Sequence, residues 1–183
     1  LLPALLDAGR TLLRADRLED VGEWLARVRP DVPPDQTEAY EAVAVLSGLL
    51  AIRDGANLEA AQLLRELPHP EAVALYGLAL IQLGQSGEAA SRLELLLAAD
   101  LLDDQGELEP QLLPEPVPVL SLFLTACEGA AKQRLLQDEL EQARRYAEAS
   151  RDALRRYPDS ETAGGPARVQ VLELLRRCAP KAS

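Results

Sequence analysis

Apolar positions recur at helical spacing along most of this chain, and the breaks between runs fall at glycines and prolines. Residues 4–15 read as a helix with Leu5, Leu12 and Leu13 on one side and Gly9 in its middle. After a turn at Asp16-Arg17, Leu18 to Val28 carries Val21, Trp24, Leu25 and Val28, an amphipathic stripe. The run Arg29–Asp35 (RPDVPPD) ends that pair, because proline lacks an amide donor and restricts its predecessor. Thr37 is placed to cap a helix reaching about Arg53; Asp54-Gly55 stops it, and Leu58 to Leu67 supplies a partner. Pro68-His69-Pro70 then turns the chain into LYGLALIQLGQSGEAASRLELLL, where Gly84 divides two helices and Leu80, Leu83 and Leu93 are expected in the seam. A fourth pair is expected from Leu120, Leu124, Cys127 and Ala131, with Asp138 at the turn and a second helix running to Tyr157. A last helix, bearing Val171, Leu175 and Cys178, follows Gly164-Gly165-Pro166.

Two ladders of small residues run in step with this pattern. Gly9, Gly48 and Gly77 lie mid-helix, at separations of 39 and 29 residues, mean 34. Val21, Ala60 and Ala89 lie early in the following helices at the same separations. A residue without a side chain at each crossing lets antiparallel helices approach closely. With Tyr76-Gly77, Gly84 and Glu88-Ala89, this order of residues resembles the tetratricopeptide repeat, a 34-residue helical pair that stacks into a solenoid.

The resemblance implies an all-α fold of one domain, residues 1–183: antiparallel pairs stacked as a short right-handed solenoid. The pairs are expected at about 4–29, 37–67, 70–98 and 119–157, with an acidic proline-rich loop at 100–118 and a capping helix at 166–178. In such proteins the first helix of each pair lines a concave groove that holds a peptide or a partner helix. By register the lining here is Leu6, Arg10, Leu13 and Arg14, then Val45, Leu49, Ile52 and Arg53, then Ala74, Leu78, Ile81 and Gln82, then Glu128, Lys132 and Leu135. Arg10, Arg14, Leu49, Ile52, Arg53, Leu78, Ile81 and Gln82 are the expected partner-binding residues. Leu49, Ile52, Leu78 and Ile81 form either an exposed apolar patch or a surface covered by neighbouring units or by Leu112-Leu113. The Lys/Asn set that clamps a C-terminal carboxylate in chaperone-binding members is missing, and so is the usual proline after residues 71–97. The first pair, LLDAGRTLLRADRLEDVGEWLARV, is also similar to the helical repeats of MalT-like bacterial transcription activators, which implies an effector-sensing segment of a larger regulator as the alternative function.

Composition narrows the partner. The chain is 183 residues long and 48% hydrophobic with 3% aromatics, which suits helix-on-helix packing better than strands. The net charge is −11, and residues 93–131 carry 8 acids and no base. Such a surface disfavours nucleic acid, whose phosphates require basic side chains. No run is long and apolar enough for a bilayer, and two cysteines make no disulfide framework. A cytoplasmic protein or peptide binder is expected; a homo-oligomer or a larger parent chain stays open.

Catalytic chemistry finds little support. His69 is the single histidine and stands between two prolines at a turn. Cys127 falls on an apolar stripe, with no base or cation in its local sequence. No phosphate-binding glycine loop, zinc spacing or nucleophile elbow occurs, so neither cofactor nor metal is expected, and the chain reads as a non-enzyme. Asp100 to Pro118 holds six acids and four prolines without the alternating ligands of a calcium loop. It reads as a solvated, mobile connection, the expected first site of proteolysis.

Overall fold

The computed structural model describes residues 2–15, 17–28 and 37–179. Among them are nine α-helices: α1 (Leu2–Arg14), α2 (Leu18–Val28), α3 (Thr37–Arg53), α4 (Asn57–Leu64), α5 (Pro70–Gln82), α6 (Ser86–Ala98), α7 (Val119–Leu136), α8 (Leu140–Arg156) and α9 (Gly165–Arg177). No strand forms among the described residues; Leu108 makes isolated antiparallel bridges with Leu102 and Val117. Asp16, the break at 29–36, and the side chains of Leu5, Leu6 and Leu13 lie outside the description. Consecutive helices pack pairwise, and each even-numbered helix also packs on the next odd-numbered one. The odd-numbered helices touch in series, α1 on α3, α3 on α5, α5 on α7 and α7 on α9. They form one inner layer, and α2, α4, α6 and α8 lie outside it. This is a tetratricopeptide-like helical solenoid.

One turn design closes the pairs. Gly55, Gly84 and Asp138 take the left-handed conformation, with φ of 78°, 75° and 60°. The residue after each donates its N–H back across the helix end: Ala56 to Ala51 at 2.8 Å, Gln85 to Leu80 at 2.9 Å and Glu139 to Arg134 at 2.9 Å. Arg17 donates to Leu12 at 3.0 Å in the same pattern. This is the Schellman arrangement, which satisfies carbonyls left over at a helix end. The same residue then starts the next helix: the carbonyls of Arg17, Ala56, Gln85 and Glu139 accept from Val21, Ala60, Ala89 and Ala143. Stop and start are fused, so the partner helix must fold straight back.

The glycine ladder sets how closely it folds back. A methyl group at Gly9 would stand 2.8 Å from the Trp24 ring, and one at Gly48 or Gly77 would stand 2.7 Å from Leu64 or Leu93. Leu64 and Leu93 are fully buried, so each large side chain fills the space that its glycine leaves empty. In the fourth pair the sizes change together. Ala131 occupies the glycine register, and it shares a buried cluster with Ala147, at the register of Leu64 and Leu93. A methyl on one helix is matched by a smaller residue on the other.

One expectation about the helices is corrected by the structure. Leu83 does not fill the seam; it is the C-cap of α5 and 37% exposed, one residue before the left-handed Gly84. On α9 Val171 and Cys178 are buried, Leu174 joins them, and Leu175 packs half-buried against the same clusters. Val169 and Leu172 lie on the exposed side of that helix.

Gly77→Ala in the native background is expected to destabilise the fold by about 1–2 kcal/mol, because overpacking against Leu93 exceeds the gain in helix propensity. In a Leu93→Ala background the same change is expected to stabilise by up to about 1 kcal/mol. Urea unfolding of the four proteins of this cycle checks the reversal of sign; additive effects contradict the close-approach argument.

Candidate functional site

The inner layer is not bare. The connection between α6 and α7 crosses it, and one buried carboxylate organises the crossing. Glu71 lies in the first turn of α5, on the same side as Ala74 and Leu78, and is 1% exposed. His69 caps this helix: its Nδ1 accepts the Glu71 N–H at 3.3 Å, and Pro70 needs no amide partner. The sole histidine therefore has a structural task. The Glu71 carboxylate in turn accepts three consecutive backbone N–H groups: Gln111 at 2.8 Å and Leu113 at 3.0 Å on Oε1, and Leu112 at 2.7 Å on Oε2. Burying a carboxylate is costly unless donors replace its water, and three amides together with the positive end of α5 supply that replacement.

Carbonyls of the same segment are held from α1. Arg10 Nε donates to the Leu112 carbonyl at 2.8 Å, and Arg14 donates through Nε and Nη2 to the Pro114 carbonyl, each at 3.4 Å. Residues 111–114 thus reach from the start of α5 to α1, with α3 between those two helices in the layer. Beneath the tip, Leu108 and Val117 exchange N–H···O=C bonds at 2.9 and 3.1 Å. Asp103 Oδ1 accepts the amides of Gln105 and Glu107, each at 2.9 Å. Ser160 Oγ donates to the Gln105 carbonyl at 2.7 Å, and Arg156 pairs with Asp100 at 2.9 Å. Leu108, Leu113 and Val117 are buried in the main core cluster. Proline and acid content suggest a mobile loop; bridges, backbone anchors and buried leucines make it a strap.

The sequence-derived binding residues sit around this strap. Arg10 and Arg14 hold it directly. Leu49, Ile52 and Ile81 are half-buried against the core cluster that includes Leu108, Leu113 and Val117, and Val45 and Ala74 are fully buried. Leu78 is half-buried, while Arg53 and Gln82 are exposed. On α7, Glu128 pairs with Lys132 at 2.6 Å and accepts from Gln170 at 3.2 Å. Glu71, the residue that brings the strap to this face, is missing from the sequence reading. Its register was the available signal, since it stands one turn before Ala74 on the inner stripe of α5.

The architecture has a counterpart among solved structures. A chain described as MamA RS-1 ArsTM double mutant matches 96% of this chain over 94% of its own length, with a TM-score of 0.53 and 17% sequence identity. That likeness is one of fold. No family model and no curated protein matches the sequence.

Other reactive groups are shielded. Cys127 is 1% exposed, and burial pushes its thiol up to about 12, far from the range in which a thiolate attacks. Burial also raises Cys178. No group of metal-ligating side chains assembles among the described residues, and no helix there is long and apolar enough to cross a membrane.

Replacing Glu71 by Gln keeps the shape but turns a donor toward at least one of the three amides. Unfolding stability is expected to fall by about 1–3 kcal/mol, which lowers Tm by several degrees in a chain of this size. Glu71→Ala, which strands all three amides, is expected to cost more. A change below about 0.5 kcal/mol in both variants would show that the strap is not held by this carboxylate.

Proposed function

We propose that this protein is a protein-interaction module whose inner helical face binds a peptide segment of a partner. The observation that carries the reading is the way this face already holds residues 111–114, through polar side chains whose hydrogen bonds go to the segment's backbone. Glu71 accepts from three consecutive amides and Arg10 donates to a carbonyl, a pattern that a peptide bent as residues 111–115 are can match, while the apolar floor favours leucine-like side chains. The tetratricopeptide-like fold supports a protein or peptide partner. Arg10, Arg14, Leu49, Ile52, Arg53, Leu78, Ile81 and Gln82 remain the residues proposed to meet it. Half-buried Leu78 and exposed Gln82 and Arg53 extend the surface beyond the strap's anchors. No catalytic step is proposed, because His69 is engaged as a helix cap and Cys127 is sealed in the core.

Selection of displayed linear peptides on the intact protein is expected to enrich binders with adjacent apolar residues. Leu78→Asp should abolish their retention while circular dichroism and thermal unfolding stay close to native. Peptides that bind this variant unchanged place the binding surface elsewhere.

A further inference from the structure

The strap offers more than a demonstration that the inner face can hold a peptide. We infer that its tip, residues 109–116, is a built-in pseudoligand: it occupies the partner site and must lift for a Leu-Leu-Pro-like segment of the same bent form to enter. This rests on the inner-face reading of function above.

The division of the strap into base and tip supports lifting. The base is woven into the fold by the Leu108–Val117 bridge, the Asp103 turn and the Ser160 contact to Gln105. The tip hangs from that base, with Glu109, Pro110, Gln111, Glu115 and Pro116 exposed on its outer side. Only Leu113 and Pro114 are buried in it, and its polar anchors run to Glu71, Arg10 and Arg14. Lifting the tip would take three amides from the Glu71 carboxylate, the carbonyls from the two guanidinium groups and the side chain from the pocket of Leu113. A segment of matching chemistry restores all of them, so exchange costs far less than simple opening.

The anchors also state what that segment must look like. Gln111, Leu112 and Leu113 each donate an N–H, so proline is excluded at the three equivalent positions. At the fourth position the chain gives only its carbonyl, to Arg14, and Pro114 supplies that without an amide to leave unpaired. The partner fits as a bent stretch, curled as residues 111–115 are, with two adjacent apolar residues followed by proline. A tethered tip competes at an effective concentration of roughly millimolar, so the intact chain should bind such a segment more weakly than an opened one.

The test uses the end-blocked peptide EPQLLPEPV, which copies residues 109–117, and its fluorescence-polarisation titration with three proteins. These are the intact chain, a variant whose residues 109–116 are replaced by a Gly-Ser linker of equal length, and Leu113→Ala. The last keeps the tip but weakens its seating, and so covers the case in which the linker variant fails to fold. The expected result is binding to the linker variant at least about tenfold tighter than to the intact chain, with Leu113→Ala between them. The peptide EPQPLPEPV, which lacks the second amide, should not bind. Equal affinity for all three proteins overturns the gate and leaves inner-face binding standing. No binding to either helical variant overturns the inference, and the display selection then judges the inner face separately.

Discussion

A carboxylate removed from water must collect hydrogen bonds from its surroundings, and Glu71 collects three from consecutive amides of a segment 40 residues further along the chain. Without that convergence only Arg10 and Arg14 of α1 would draw the α6–α7 connection to the inner layer. With it, Leu113 enters the core, the Leu112 and Pro114 carbonyls come within reach of α1, and α1 and α5 become linked through a segment that belongs to neither. The polar anchors and the buried leucines depend on each other. Amides unsatisfied at depth cost about as much as the apolar burial contributes, so the two sets form or fail together.

The helical frame presenting this segment rests on a different constraint, the space between paired helices. Gly48 and Gly77 allow Leu64 and Leu93 to lie across the first helix, and the Ala131 and Ala147 pair meets the same limit with other sizes. Tyr76 adds a polar tie within the third pair. Its hydroxyl donates to Glu88 at 2.9 Å, and the Arg92 guanidinium stands 5.5 Å from its ring centre. Burial, and then this neighbouring carboxylate, raise the Tyr76 hydroxyl above its ordinary range, so it remains a donor at neutral pH.

Helix positions, the close approaches and the left-handed turn at Asp138 were legible because each is local: a 3.6-residue period, a missing side chain, a turn seven residues past the crossing. Cover by Leu112-Leu113 was legible only as one of two alternatives, and the strap's anchors were not legible at all, because they link positions 71 with 111–113, and 10 with 112, and no sequence period relates such pairs. Acids and prolines in Asp100–Pro118 say only that the segment makes neither helix nor strand. They are silent on whether it packs. Register puts Arg10 and Arg14 on the inner face, but only the structure shows the Leu112 and Pro114 carbonyls that they hold there. Leu83 departs from its expected place for a related reason: periodicity continues a stripe through a helix end, whereas the backbone turns away at Gly84.

Amide hydrogen exchange at Gln111, Leu112 and Leu113 tests the held strap most directly, because these are the donors that Glu71 accepts. If the carboxylate pins the strap as described, the three amides exchange far more slowly than the unstructured rate, and Glu71→Gln speeds them selectively while α6 keeps its protection. Exchange at the unstructured rate in the native protein would contradict the account, leaving an unoccupied inner face and a loose connection in place of the strap.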